Sequence, residues 1–116
     1  MPERHEHLQR ARDNELLAAQ LKADVGFSND WAITMLFYSA LHYVDAFLAG
    51  KRMHPLNHDD RDEEIERNGS LTDIYRHYRR LKDLSRSARY EIANYAKADV
   101  HLARTKLEAI KNHLGL

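Results

Sequence analysis

Arg52 and His58 stand six positions apart in the stretch KRMHPLNHDDR, residues 51–61. Histidine is the side chain whose ordinary pKa lies nearest neutrality, so it can take and return a proton at physiological pH. Arginine carries a fixed charge on a planar fork of donors that fits phosphate. Together the two types suit metal-free RNA cleavage. The histidine would move the proton of a ribose 2′-hydroxyl, and the arginine would stabilise charge on the phosphorane. The same residues have a plain structural use: His58 caps or packs at the start of a short helix while Arg52 is solvated. Eight histidines among 116 residues make a chance pairing common.

His54, His58, Asp59 and Asp60 also offer imidazole and carboxylate donors of the kind that bind Zn²⁺ or Mn²⁺. No metalloprotease-type histidine pair accompanies them, and the loop is short. Asp59 and Asp60 are better explained as first-turn charges favoured by a helix dipole. The reading therefore expects no metal and no cofactor. A second cluster is the basic run IYRHYRRLKDLSRSARY, residues 74–90, in which six cations face only Asp83. Arg76, Arg79, Arg80, Arg86, Arg89 and Tyr90 are its candidates for phosphate and base contact, since tyrosines can stack on bases. The alternative is internal pairing with the acidic run Asp59, Asp60, Asp62, Glu63, Glu64 and Glu66. Tyr78 falls on an apolar seam and is expected in the core. His42, between Leu41 and Tyr43, is a candidate buried histidine whose ordinary role is a hydrogen bond. No Gly-rich phosphate loop or Ser/His/Asp arrangement is present.

The elements that must carry these groups are helices. Glycine and proline number four and two, and β-branched residues are sparse. Spacings of three, four and seven place a first helix over about Glu3–Val25, with Gly26 as its stop and Ser28 or Asn29 as the next cap. A second, apolar on almost every side, covers about Asp30–Ala49 and ends at Gly50. Its stretch WAITMLFYSALHYVDAFLA nearly reaches bilayer length, but His42 and Asp45 would be costly at a membrane centre, so it reads as a buried helix. Pro55 breaks the chain, and Asn57 caps a short acidic helix over about His58–Arg67. Ser70 is the expected cap of a fourth helix, about Leu71–Tyr90, with a seam of Leu71, Ile74, Tyr78, Leu81, Ser85 and Ala88. A fifth, about Lys97–His113, buries Val100, Ala103, Leu107, Ile110 and Leu114 before Gly115.

The bulk numbers fit one all-α domain over residues 1–116. Hydrophobic residues make up 43%, and 18 basic residues balance 18 acidic ones, so a charged partner must be met by local segregation. There is no cysteine, hence no disulfide or thiolate chemistry. The charged start MPERHEHLQR is not a signal peptide, and a cytoplasmic location is expected. The apolar excess of the second helix, with Trp31, Phe37, Tyr38 and Phe47, points to a homodimer interface.

The order of pieces, FYSALHYVDAFLA (37–49), then HDD (58–60), then ARY (88–90), resembles the HEPN family of small helical domains over roughly residues 10–114. The resemblance implies a four-helix up-and-down bundle with a short additional helix, commonly a homodimer. Many HEPN members are metal-independent RNases of toxin–antitoxin or defence systems that use an Arg-x(4–6)-His motif paired across the dimer. Arg52 and His58 fit that window, although the nuclease members carry the motif later in the chain. Other members are binding modules, some beside a nucleotidyltransferase partner. The expected function is thus an RNA- or nucleotide-binding domain or endoribonuclease, with an antitoxin or nucleotidyltransferase as the candidate partner protein. The alternative is a non-catalytic interaction and dimerisation module.

Overall fold

A computed structural model describes residues 2–21, 28–90 and 95–116. The described chain is all-helical: α1 (Arg4–Gln20), α2 (Ser28–Gly50), α3 (His58–Arg67), a 3₁₀ turn (Thr72–Ile74), α4 (Tyr75–Tyr90) and α5 (Lys97–Leu114). The four longer helices and the single short one follow the periodicity of the sequence. α2 occupies the centre and packs against α1, α4 and α5. That position explains why it is apolar all round, since a helix covered on most sides has no face left for water. By length and composition alone α2 could span a bilayer, yet most of it is buried against the other helices.

The core is one cluster of side chains drawn from all five helices. α2 contributes Ile33, Leu36, Phe37, Ala40, Val44 and Leu48, each almost wholly buried. α1 meets it through the small residues Ala11 and Ala18, which let the helices approach closely enough for Ser39 Oγ to donate to the Ala11 carbonyl at 2.8 Å. The expected seam of the fourth helix is buried at Leu71, Ile74, Tyr78, Leu81 and Ser85 and half-buried at Ala88. The seam of α5 buries Ala103, Leu107 and Ile110, while Val100 and Leu114 are half-buried. The apolar surplus of the second helix is mostly absorbed within the chain. Phe37 is fully buried, Tyr38 and Phe47 are half-buried, and Trp31 alone of the four is exposed.

Helix ends differ from the sequence reading at several points. α1 stops at Gln20, because Leu21 is already extended (φ −74°, ψ 133°). Its expected last turn at Val25 and its stop at Gly26 lie outside the described residues. Ser28 and Asn29 belong to α2 rather than capping it, and Asn29 Nδ2 instead donates to the Tyr95 carbonyl at 2.9 Å. Asn57 does cap α3, its side chain accepting from the Asp60 N–H at 2.8 Å. Ser70 is not a cap. Leu71 precedes a tight 3₁₀ turn, and the Ser70 carbonyl accepts from His113 Nε2 at 2.8 Å.

The end of α2 is the most informative of these. Gly50 is its last residue, but the left-handed position that follows falls on Arg52, at φ +61°. Met53 N–H reaches back to the Leu48 carbonyl (2.8 Å) and Arg52 N–H to Ala49 (2.9 Å). These are the paired bonds of a Schellman stop, whose left-handed residue is usually glycine. α5 ends by the same pattern, with Leu116 N–H to Lys111 (2.9 Å), Gly115 N–H to Asn112 (3.2 Å) and glycine at φ +73°. One chain thus closes the same motif twice, once with the favoured residue and once with an arginine.

Candidate functional site

Asp45 is the one acid buried in α2, and a carboxylate there must be neutralised by a partner. α3 supplies it. Arg61 Nε donates to Asp45 Oδ1 at 2.7 Å and Nη2 to Oδ2 at 3.0 Å, a two-pronged fork with both side chains under a tenth exposed. Burial alone would lower the arginine pKa, but the Asp45 bonds and charge overcome it and raise the value. The Tyr78 hydroxyl lies beside the same guanidinium, buried and without a hydrogen bond of ordinary length. Burial is the main reason its pKa is driven up, so it stays a neutral phenol.

This buried pair pins α3 across α2 and so places His58, one turn before Arg61. Arg61 Nη1 lies 3.4 Å from His58 Nδ1, and the His58 ring stacks on the buried ring of Phe37 at 6.2 Å between centroids. A guanidinium can only donate, so a hydrogen bond at this contact needs Nδ1 bare and the ring proton on Nε2. Desolvation lowers the His58 pKa first, followed by the positive charges of Arg61, Lys82 and Arg89, with Asp62 opposing. His58 is therefore a neutral, surface-reaching histidine in a basic surround at the meeting of α3 and α4.

Arg89 is held by α2 and by its own helix. Its Nη1 donates to Tyr38 Oη at 2.6 Å and its Nε to the Ser85 carbonyl at 3.3 Å, and the guanidinium lies 5.5 Å from the Tyr38 ring and 5.3 Å from that of Tyr90. Nη2 keeps no partner among the described residues. Tyr90 is 77% exposed, so its free ring face is open to solvent.

The remaining candidates separate cleanly. Asp62 takes both cross-helix cations, Lys82 and, at 3.5 Å, Arg79. The expected neutralisation of the fourth helix by the acidic third rests on that one carboxylate. Glu63 pairs within its own helix with Arg67, and Asp60 serves the Asn57 cap. Arg76, Arg80 and Arg86 are exposed and form no hydrogen bond or ion pair with the described residues. Arg52 is also exposed, with no side-chain bond to His58 or to any other described residue. Arg61, which sequence reasoning passed over, is the arginine that reaches His58.

Near the same Asp45, α1 brings His7 to α2. His7 Nδ1 and His42 Nδ1 are 3.1 Å apart, with ring centroids at 5.4 Å. Burial, then the neighbouring His7, lowers the His42 pKa to about 4. Desolvation lowers that of His7 as well. His54, Asp59 and Asp60, the metal candidates of the sequence, form no such cluster with His58 among the described residues. No family model, curated protein or solved structure matches the chain.

Proposed function

We propose that the chain is a HEPN-like RNA- or nucleotide-binding domain whose phosphate site is centred on His58. The observation that carries this reading is an exposed histidine with Arg61 Nη1 3.4 Å from its ring, on the same side of the chain as the cation-bearing helix α4, whose Lys82 and Arg89 charges are felt by that ring. Arg61 and Lys82 are engaged by Asp45 and Asp62, which offset their charge. Arg89 Nη2 and the exposed Arg86 and Arg80 are the groups free to meet phosphate oxygens. Tyr90 offers a stacking face next to Arg89. The four longer helices with one short one support the finer reading of a four-helix up-and-down bundle.

The orientation of His58 favours binding over cleavage. Nδ1 faces the Arg61 guanidinium, and a hydrogen bond there leaves the ring proton on Nε2, where a neutral N–H donates to a phosphate oxygen but cannot accept a proton from a 2′-hydroxyl. Cleavage would require the ring to turn over. The test is affinity for a short single-stranded RNA at several salt concentrations, with EDTA present. Replacing Arg86 and Arg89 with Gln should reduce the salt slope by roughly one unit for each phosphate no longer neutralised. An unchanged slope would refute the site. The same samples are assayed for cleavage. Cleavage that falls by a hundredfold or more in His58→Ala would show that the ring does turn and act as an acid–base group.

A further inference from the structure

We propose that His7, His42 and Asp45 form a binding site for a divalent transition-metal ion, zinc in the first instance, that ties α1 to α2. One donor atom from each of the three lies within 4.8 Å of the others. His42 and Asp45 are three residues apart on α2 and so share a helix face. His7 comes from α1, 35 positions away in sequence. Two imidazoles and a carboxylate are a donor set for zinc and its neighbours, and leave further coordination positions for water.

The spacing of the two nitrogens fits one shared ion. Zinc–imidazole bonds are about 2.05 Å, so nitrogens 3.1 Å apart would subtend about 98° at the ion, between octahedral and tetrahedral angles. Both nitrogens of the close contact are Nδ1. Without an ion, one of them must carry a proton and donate to the other. With an ion, both are bare and both protons sit on Nε2. Asp45 keeps lone pairs for a metal although Arg61 takes one bond from each oxygen. Ligating carboxylates are commonly held by just such an outer donor, which fixes their orientation. The ion would therefore sit against the buried pair that positions His58. The inference stands independently of RNA binding.

The experiment uses the full chain without a histidine tag, stripped with EDTA, dialysed, and titrated with Zn²⁺ by calorimetry. Co²⁺ is then added and its visible d–d bands recorded. The expected result is one equivalent bound, with affinity falling about a hundredfold or more in either His7→Gln or His42→Gln, since losing even an outer-shell partner typically costs 10–100-fold. His5→Gln and His101→Gln, at exposed positions, should bind like the parent. Should His42→Gln fail to fold by circular dichroism, His7→Gln on the outer helix decides alone. No one-to-one binding in the parent, or binding undiminished in folded His7→Gln, would overturn the site and leave a hydrogen-bonded imidazole pair in its place.

Discussion

The Asp45–Arg61 pair determines whether α3 stays where His58 needs it, and its worth can be measured. α3 buries only Arg61 and Ile65, and its ties to α2 are this ion pair and the His58 ring stacked on Phe37. The pair is not a surface salt bridge of about 0–1 kcal/mol. Both members are under a tenth exposed and are joined by two bonds of 2.7 and 3.0 Å. At an effective dielectric of about 20 and ~4 Å between charge centres, the attraction is about 4 kcal/mol, most of which repays desolvation. Removing one member leaves the other charge buried and alone. Arg61→Met or Asp45→Leu should each cost about 3–5 kcal/mol, while the double substitution, which leaves no orphan charge, should cost far less than the sum. The assay is urea unfolding of the parent, both single variants and the double variant, with EDTA present. Singles that cost under about 1 kcal/mol, or a double that equals their sum, would refute the claim that this pair is a buried, mutually dependent clamp.

Three further outcomes follow from the same geometry. Arg52→Gly should stabilise the chain by about 0.5–1 kcal/mol, because relieving a left-handed non-glycine residue gains about 1–2 kcal/mol and the freer unfolded glycine returns part of it. A melting temperature raised by about 2–4 °C checks this, and RNA affinity should not change if Arg52 is only solvated. Acid should weaken the fold through His58, whose folded pKa lies below the unfolded value of 6.5 under the influence of desolvation, Arg61, Lys82 and Arg89, against Asp62, with the Phe37 ring as its uncharged face. Its contribution is complete above pH 6.5 and is lost as pH falls from there through the folded pKa, so melting temperatures of His58→Gln should fall less steeply with acid than those of the parent. Over the same window RNA affinity of the parent should rise, since a protonated His58 adds a cation to the phosphate site; a flat affinity profile would remove His58 from that site.

Helical periodicity carried most of the fold, because the apolar steps of three and four that sequence shows are the same residues that the core buries. The third helix was legible to the residue, since Asn57, the acidic first turn and Arg67 all act locally. Helix starts and stops were less so where tertiary contacts override local preference. Ser70 and Asn29 have the chemistry of caps, but distant contacts shape both places: the Ser70 backbone carbonyl accepts from His113 and the Asn29 side-chain NH2 donates to the Tyr95 carbonyl, 43 and 66 positions away. The site was half visible for the same reason. His58 and Arg89 stood out by residue type, whereas Arg61 looked like one more charge in an acidic helix. The available signal was Asp45: a carboxylate on an otherwise apolar helix demands a cation, and only burial of both could show that Arg61 answers it rather than Arg52. His7 and His42 illustrate the limit of spacing arguments. A local search for metal ligands goes to His54, His58 and Asp59, neighbours along a loop and the helix start after it, while the close pair of imidazole nitrogens comes from two helices packed side by side. Arg52 shows the converse. Its sequence spacing to His58 suggested chemistry, while its backbone at φ +61° fills a helix stop with an unfavourable residue, a use that spacing does not reveal. Strain of that kind persists only where something else holds it, and here two backbone hydrogen bonds and the half-buried Met53 do so without any bond from the arginine's own side chain.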